Sequence, residues 1–135
     1  MDEAKRELVN AWLVKAQNDL ATARKLVREP EIILDTAIYH CQQAAEKAIK
    51  AFLVFHDQRF EKTHDLRLLI ELALRYNERL SDLQSTAELL TPYATTYRYP
   101  GDVLHPSQEE FDEALSSAES IYAFILSILP PSVHP

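Results

Sequence analysis

The chain has 135 residues, a length that fits one domain with room for a buried core. Its 21 acidic against 14 basic residues give a net charge of −7, which excludes coating nucleic acid by bulk charge and leaves only a local basic cluster for such contact. A single cysteine, Cys41, excludes an internal disulfide and a multi-cysteine zinc site.

No apolar run approaches the roughly 20 residues of a membrane span, and the charged opening MDEAKRELVN lacks a signal-peptide pattern. The expectation is a cytoplasmic protein without a membrane partner. The apolar residues are mostly Ala and Leu, which favours helices over strands. From about Glu3 to Arg28, Val9, Trp12, Leu13, Ala16, Leu20, Ala23 and Val27 recur at three- and four-residue steps, with Lys15, Asn18, Asp19 and Lys25 on other faces. This spacing predicts an amphipathic helix, closed by Pro30.

A second helix is predicted from Ile32 or Asp35 to Phe55. It carries one stripe of mainly small residues (Ala37, Cys41, Ala44, Ala48, Ala51, then Phe55) and a second apolar stripe (Ile38, Ala45, Ile49, Phe52). Small residues permit close approach of another helix, and two stripes mean contacts on two sides, so this is the central helix of a bundle. Tyr39, Gln43, Glu46, Lys47 and Lys50 fall on the remaining face, where spacings of three and four read as a solvated, charge-paired surface.

After the loop HDQRFEK, Thr63 is expected to cap a third helix running to about Tyr76, with Asp65 in its first turn. Ser81 opens SDLQ, a capping-box pattern for a fourth helix carrying Leu83, Ala87, Leu90, Ala94 and Tyr97. Thr91-Pro92 predicts a kink or restart within it. Pro100-Gly101 suits the centre of a type II turn with a positive φ at the glycine. Ser107 with Glu110 forms a further capping box, and a fifth helix runs to about Leu129, where Pro130-Pro131 stops it. The expected fold is all-α, one domain over 1–135 with 130–135 a short tail: an antiparallel up-and-down bundle of four to five helices.

One glycine cannot build a Walker or Rossmann phosphate loop. Glu61 and His64 have the Glu-x-x-His spacing of di-iron bundles, but Thr63 as cap puts Glu61 outside the helix and no second copy exists, so neither metal nor cofactor is expected. His40 and His56 read as partly buried structural histidines, and His134 falls in the tail. Arg98 and His105 flank the Pro-Gly corner. A guanidinium can hold phosphate through a planar fork, and an imidazole can take a proton from a ribose 2′-hydroxyl.

Taken in order, Ala16-x-x-Asp19-Leu20-x-x-Ala23, HCQQAAEKAIKAFL from His40, KTHDL from Lys62 and YRYP from Tyr97 resemble the HEPN domain family (higher eukaryotes and prokaryotes nucleotide-binding), over most of the chain from the first helix to Pro100. The resemblance implies a helical bundle that is usually a homodimer. Many small prokaryotic members are encoded beside a minimal nucleotidyltransferase and act with it as a toxin–antitoxin pair. Others resemble the helical, substrate-contacting domain of aminoglycoside nucleotidyltransferases. A large subset are metal-independent endoribonucleases with an Arg-x(4–6)-His motif, two such motifs facing one dimer cleft. Arg98 to His105 fits as Arg-x6-His in its Arg-Tyr-Pro version, with Ser107 where ribonuclease members often place a tyrosine.

The expectation is therefore a dimer that binds nucleotide or RNA phosphate and partners a minimal nucleotidyltransferase. Arg98, Tyr99, Lys47, Lys50 and Gln43 form its candidate phosphate site. One alternative is an endoribonuclease toxin in which Arg98 holds phosphate and His105 is the general base. A second is a non-catalytic helical interaction module. The dimer is expected from the two stripes of the second helix and from apolar surface on the fourth and fifth.

Overall fold

The computed structural model describes residues 1–101 and 104–135, and among these it contains helices and no strand. Five α-helices form the bundle: α1 (Glu3–Leu26), α2 (Leu34–Phe55), α3 (Leu66–Ala73), α4 (Gln84–Leu90) and α5 (Gln108–Ser127). Helix α2 is its axis, packing on α1, α5 and α3. Ala37, Cys41, Ala44, Ala48 and Ala51 are wholly buried, so the small stripe brings neighbouring backbones close. Burial, with the Glu119 carboxylate adding, pushes the Cys41 thiol up to about 12, which makes it a packing residue and not a nucleophile.

The polar face of α2 is not the solvated surface that its spacing suggested. Gln43, Glu46 and Lys50 are 8%, 4% and 7% exposed. Asp19, expected on an outer face of α1, is also buried. The close α1–α2 approach carries Trp12 of α1 over that face, the loop after α2 brings in Phe60, and buried polar partners replace the lost water.

Helix α2 ends in a Schellman motif: Gln58 N donates to Leu53 O at 2.9 Å and Asp57, at φ 55°, donates to Val54 O at 3.0 Å. Helix α3 starts later than expected. Asp65, not Thr63, is its cap, accepting from Arg67 N at 3.0 Å, while Thr63 Oγ1 accepts from Asp65 N at 3.1 Å. A carboxylate at this position adds charge–dipole attraction to the hydrogen bond, which a hydroxyl cannot. The helix stops at Ala73, short of Tyr76.

The Ser81 capping box does not form either. Asn77 accepts from Arg79 N at 3.0 Å and opens a 3₁₀ segment, Glu78–Leu83, before α4 begins. The restart at Pro92 is present as a 3₁₀ turn, Thr91–Ala94, with Thr91 as its first residue and not its cap. The Thr91 hydroxyl donates to Ala87 O at 2.8 Å and accepts from Leu66 N at 3.2 Å, fixing the start of α3.

Ser107 caps α5 as expected, accepting from Glu110 N at 3.0 Å. The reciprocal half of the box is replaced, because the Glu110 carboxylate accepts from Tyr97 OH at 2.8 Å. The terminal residues dock on the bundle. Val133 is buried, and His134 Nε2–H donates to the carbonyls of Leu126, in the last turn of α5, and Leu129, just past its end, at 2.9 and 3.0 Å.

Both stripes of α2 are used within the chain, so they give no reason for a dimer. The large exposed apolar side chains lie elsewhere and none of them is on α4 or α5: four of them are Ile32 (42%), Ile33 (41%), Tyr99 (60%) and Leu104 (74%).

Two expectations follow from the packing. Ala48→Leu puts three extra carbons into a wholly buried position and is expected to destabilise by ~1–3 kcal/mol in urea unfolding. His56 is stacked on Tyr76 at 4.4 Å between rings, and its pKa is lowered from 6.5 by burial and then by the Lys5 ammonium. The unfolded chain therefore binds the proton more readily, and the His56 contribution, present above about pH 6.5, is lost as pH falls through the folded value. Thermal melts between pH 7.5 and 5 should show this loss, and His56→Phe should reduce it.

Candidate functional site

The segment after α4 turns without help from its glycine. Gly101 does not take a positive φ, and Asp102, the fourth residue of the expected turn, lies outside the described residues. Tyr97 is the left-handed residue instead, at φ 72°. A bulky side chain there costs ~1–2 kcal/mol. Tertiary contacts offset it: the ring stacks on Tyr93 at 6.2 Å and the hydroxyl donates to Glu110.

That turn delivers Arg98. Its Nη1 donates to Ala94 O at 3.1 Å, and its guanidinium carbon lies 4.0 Å from the Tyr39 ring centroid and 6.0 Å from that of Tyr99. The Tyr39 ring covers the guanidinium on one side, and the donors beyond the one given to Ala94 O suit a ligand. Arg98 has no ion pair with a carboxylate among the described residues.

Arg98 lines two adjoining depressions. One, of about 310 Å³, is completed by Asp35, Thr36, Tyr39, His40 and Tyr97. The other, of about 410 Å³, is completed by Asp35, Tyr97, Tyr99, Pro100, Leu104 and His105. Asp35 borders both, and its Oδ1 accepts from Thr36 N at 2.7 Å. Among the described residues it is the one carboxylate in either lining, and it opposes an anionic ligand.

His40 is held from behind. Its Nδ1–H donates to Asp19 Oδ1 at 2.8 Å, and Lys47 Nζ donates to Asp19 Oδ2 at 2.7 Å. The Asp19 side chain is 9% exposed, so one buried carboxylate serves two donors across the α1–α2 interface. A second network lies further along α2. Glu46 accepts from Lys50 Nζ at 3.0 Å and His64 Nδ1 at 2.8 Å, and Gln42 Nε2 donates to Glu46 and to His64 O. Lys50 sits 5.8 Å from the Trp12 ring and 5.5 Å from that of Phe60, and Gln43 donates to Gln42 Oε1 at 2.7 Å. Glu61 and His64 thus form no ligand pair, since His64 is bound to α2.

Of the sequence candidates, Arg98, Tyr99 and His105 share one depression. Lys47 lines neither depression and stands two hydrogen bonds behind the other one, through the Asp19 carboxylate that holds His40. Lys50 and Gln43 line neither depression and are absorbed in the Glu46 network. Sequence reasoning missed Tyr39 and His40 as site residues and Asp19 as their support. The adjacency Tyr39-His40 one turn into α2 was the available signal. A larger depression, about 510 Å³, lies between the loop after α2 and α3, with Arg59, Lys62 and Arg75 facing Glu61 and Glu71. Among the described residues neither Arg59 nor Arg75 stacks on an aromatic ring as Arg98 does, which makes this depression the weaker candidate.

The chain is thus a small all-helical bundle with an aromatic-stacked arginine at a surface depression. The HEPN domain model matches residues 9–129, and the chain belongs to the HEPN domain family. It is 26% identical over 133 residues to "Putative toxin MJ1304" of Methanocaldococcus jannaschii, covering 87% of this chain and 86% of that protein. Among solved structures it resembles TT1696 from Thermus thermophilus, with a TM-score of 0.72 and 27% identity over 91% of this chain and 99% of the other. It also resembles ST0689, an archaeal HEPN homologue, with a TM-score of 0.66 and 25% identity over 88% and 95%.

Removing the shared acceptor tests the α1–α2 network. Asp19→Ala leaves Lys47 and the His40 Nδ1–H without their partner and is expected to cost ~2–4 kcal/mol, read by chemical denaturation, where an exposed surface pair would cost under ~1.

Proposed function

We propose that this HEPN domain binds the phosphate of a nucleotide or of RNA at Arg98, as a dimer, and partners a minimal nucleotidyltransferase in a toxin–antitoxin type system. The observation that carries it is the Arg98 guanidinium, stacked on Tyr39, without a carboxylate partner among the described residues, and bordering both depressions. In a chain of net charge −7, an arginine with no carboxylate partner among the described residues has guanidinium donors to offer an anion. The toxin role is supported by the name of the Methanocaldococcus jannaschii relative, and the dimer by the exposed Ile32, Ile33, Tyr99 and Leu104 around the depression.

The test is fluorescence anisotropy with a short labelled single-stranded RNA and with a labelled mononucleotide. Arg98→Ala should weaken binding at least ~10-fold, about 1.4 kcal/mol. Asp35→Asn should strengthen it several-fold by removing the opposing charge. Unchanged binding in Arg98→Ala would sink the assignment. A second reading, metal-independent RNA cleavage, is favoured by one further observation: His105 lines the same depression as Arg98. It calls for cleavage that persists in EDTA and is lost in both Arg98→Ala and His105→Ala.

A further inference from the structure

We propose that the groove between α3 and the loop after α2 docks a short extended peptide of a partner protein, one that combines acidic and large apolar side chains. The site shares no residue with the phosphate site at Arg98 and does not depend on it. The groove holds about 510 Å³, within the ~300–1,000 Å³ usual for ligand-binding clefts. One wall is α3. Leu66, Leu69, Ile70 and Ala73 are buried, which leaves Leu68, 50% exposed, and half-buried Leu72 to face a ligand. The opposite wall is the run from Arg59 to Thr63, with Phe60 half-buried in its middle.

Both walls are fixed before anything binds. At one end Tyr76 OH donates to Gln58 Oε1 at 2.6 Å and ties the turn after α3 to the loop. Gln58 N in turn donates to Leu53 O at 2.9 Å. At the other end His64 is held on α2, its Nδ1 on Glu46 at 2.8 Å and its carbonyl on Gln42 Nε2 at 3.0 Å. Between them the Phe60 ring lies 5.5 Å from the Lys50 ammonium, which is itself paired with buried Glu46. A wall held in this way loses little freedom when a ligand arrives.

Two features select the occupant. Phe60, Glu61 and Lys62 make no hydrogen bond, by main chain or side chain, among the described residues. An exposed run with open N–H and C=O groups suits an extended peptide, whose main chain supplies affinity and whose side chains supply specificity. Arg59, Lys62 and Arg75 have no ion pair among the described residues, whereas Arg67 close by is paired with Asp65 at 3.1 Å. Available cations beside an exposed leucine call for carboxylates on an apolar segment. Glu61 and Glu71 line the groove too, so three cations stand against two carboxylates. A few placed carboxylates fit that balance. A nucleic-acid strand, charged at every residue, would meet both glutamates over an apolar floor.

The test is selection of random short peptides displayed on phage against the folded chain, followed by fluorescence anisotropy of the most enriched peptide. The enriched peptides should combine Asp or Glu with Leu, Ile or Phe. The double change Arg59→Glu with Arg75→Glu, and separately Leu68→Ser, should each weaken binding at least ~10-fold, while Arg98→Ala stays within about 2-fold. All these side chains are exposed, and thermal melts check that each variant folds. Amide NMR of the unmodified chain needs no variant: bound peptide should shift residues 59–63 and 68–75. A selection that enriches no peptide, or only basic or neutral ones, overturns the proposal. So does peptide binding that survives either groove variant, or shifts confined to Tyr39 and Arg98. Loss of short single-stranded RNA binding in the double variant, with no peptide bound by the unmodified chain, would give the groove to nucleic acid instead and overturn it as well. RNA binding that persists in Arg98→Ala bears on the phosphate reading alone.

Discussion

A buried carboxylate between two helices needs donors, and Asp19 finds two on α2: His40 and Lys47. The bundle depends on this demand. The small residues of α2 bring α1 close enough to bury polar groups of both helices, and the groups then have to satisfy one another. Once Asp19 is served, His40 and its neighbour Tyr39 are fixed on the surface of α2. Tyr39 in turn gives the Arg98 guanidinium a face to stack on. The site is thus the outer edge of a helix–helix contact and not a loop feature added to a finished fold.

The corner before α5 contributes the other half. Its turn is made by Tyr97 in a left-handed conformation, tied by its hydroxyl to Glu110 in the first turn of α5. Arg98, the next residue, inherits its direction from that tie. Strain at Tyr97 and the burial of Asp19 therefore converge on one guanidinium. Around it lie the exposed side chains of Ile32, Ile33, Tyr99 and Leu104, an apolar rim on an otherwise acidic protein.

Much of the fold was legible because helix periodicity and end signals are local. The apolar stripes of α1, α2 and α5 and the Ser107 cap all appear as the spacing implies. Capping went wrong where two candidates stood close together: Asp65 displaced Thr63 because charge adds to the hydrogen bond, and Asn77 opened its segment before Ser81 could. The solvated reading of Gln43, Glu46 and Lys50 went wrong for a tertiary reason. Spacing of three and four describes a charged face but not what lies over it, here Trp12 and Phe60. Arg98 and His105 could be picked from the sequence, being near each other in it. His40 and Asp19 meet across 21 positions, and no local pattern states that.

The central claim is that a phosphate ligand is held by Arg98 against the Tyr39–His40 edge of α2. Its most direct measurement is backbone and arginine side-chain NMR during titration with a short single-stranded RNA. A phosphate at Arg98 predicts shifts in the Arg98 guanidinium resonance and in amides of Asp35 to His40 and Tyr97 to Tyr99. Shifts confined instead to Arg59, Lys62 and Arg75 in the groove beside α3, with Arg98 unmoved, would contradict it.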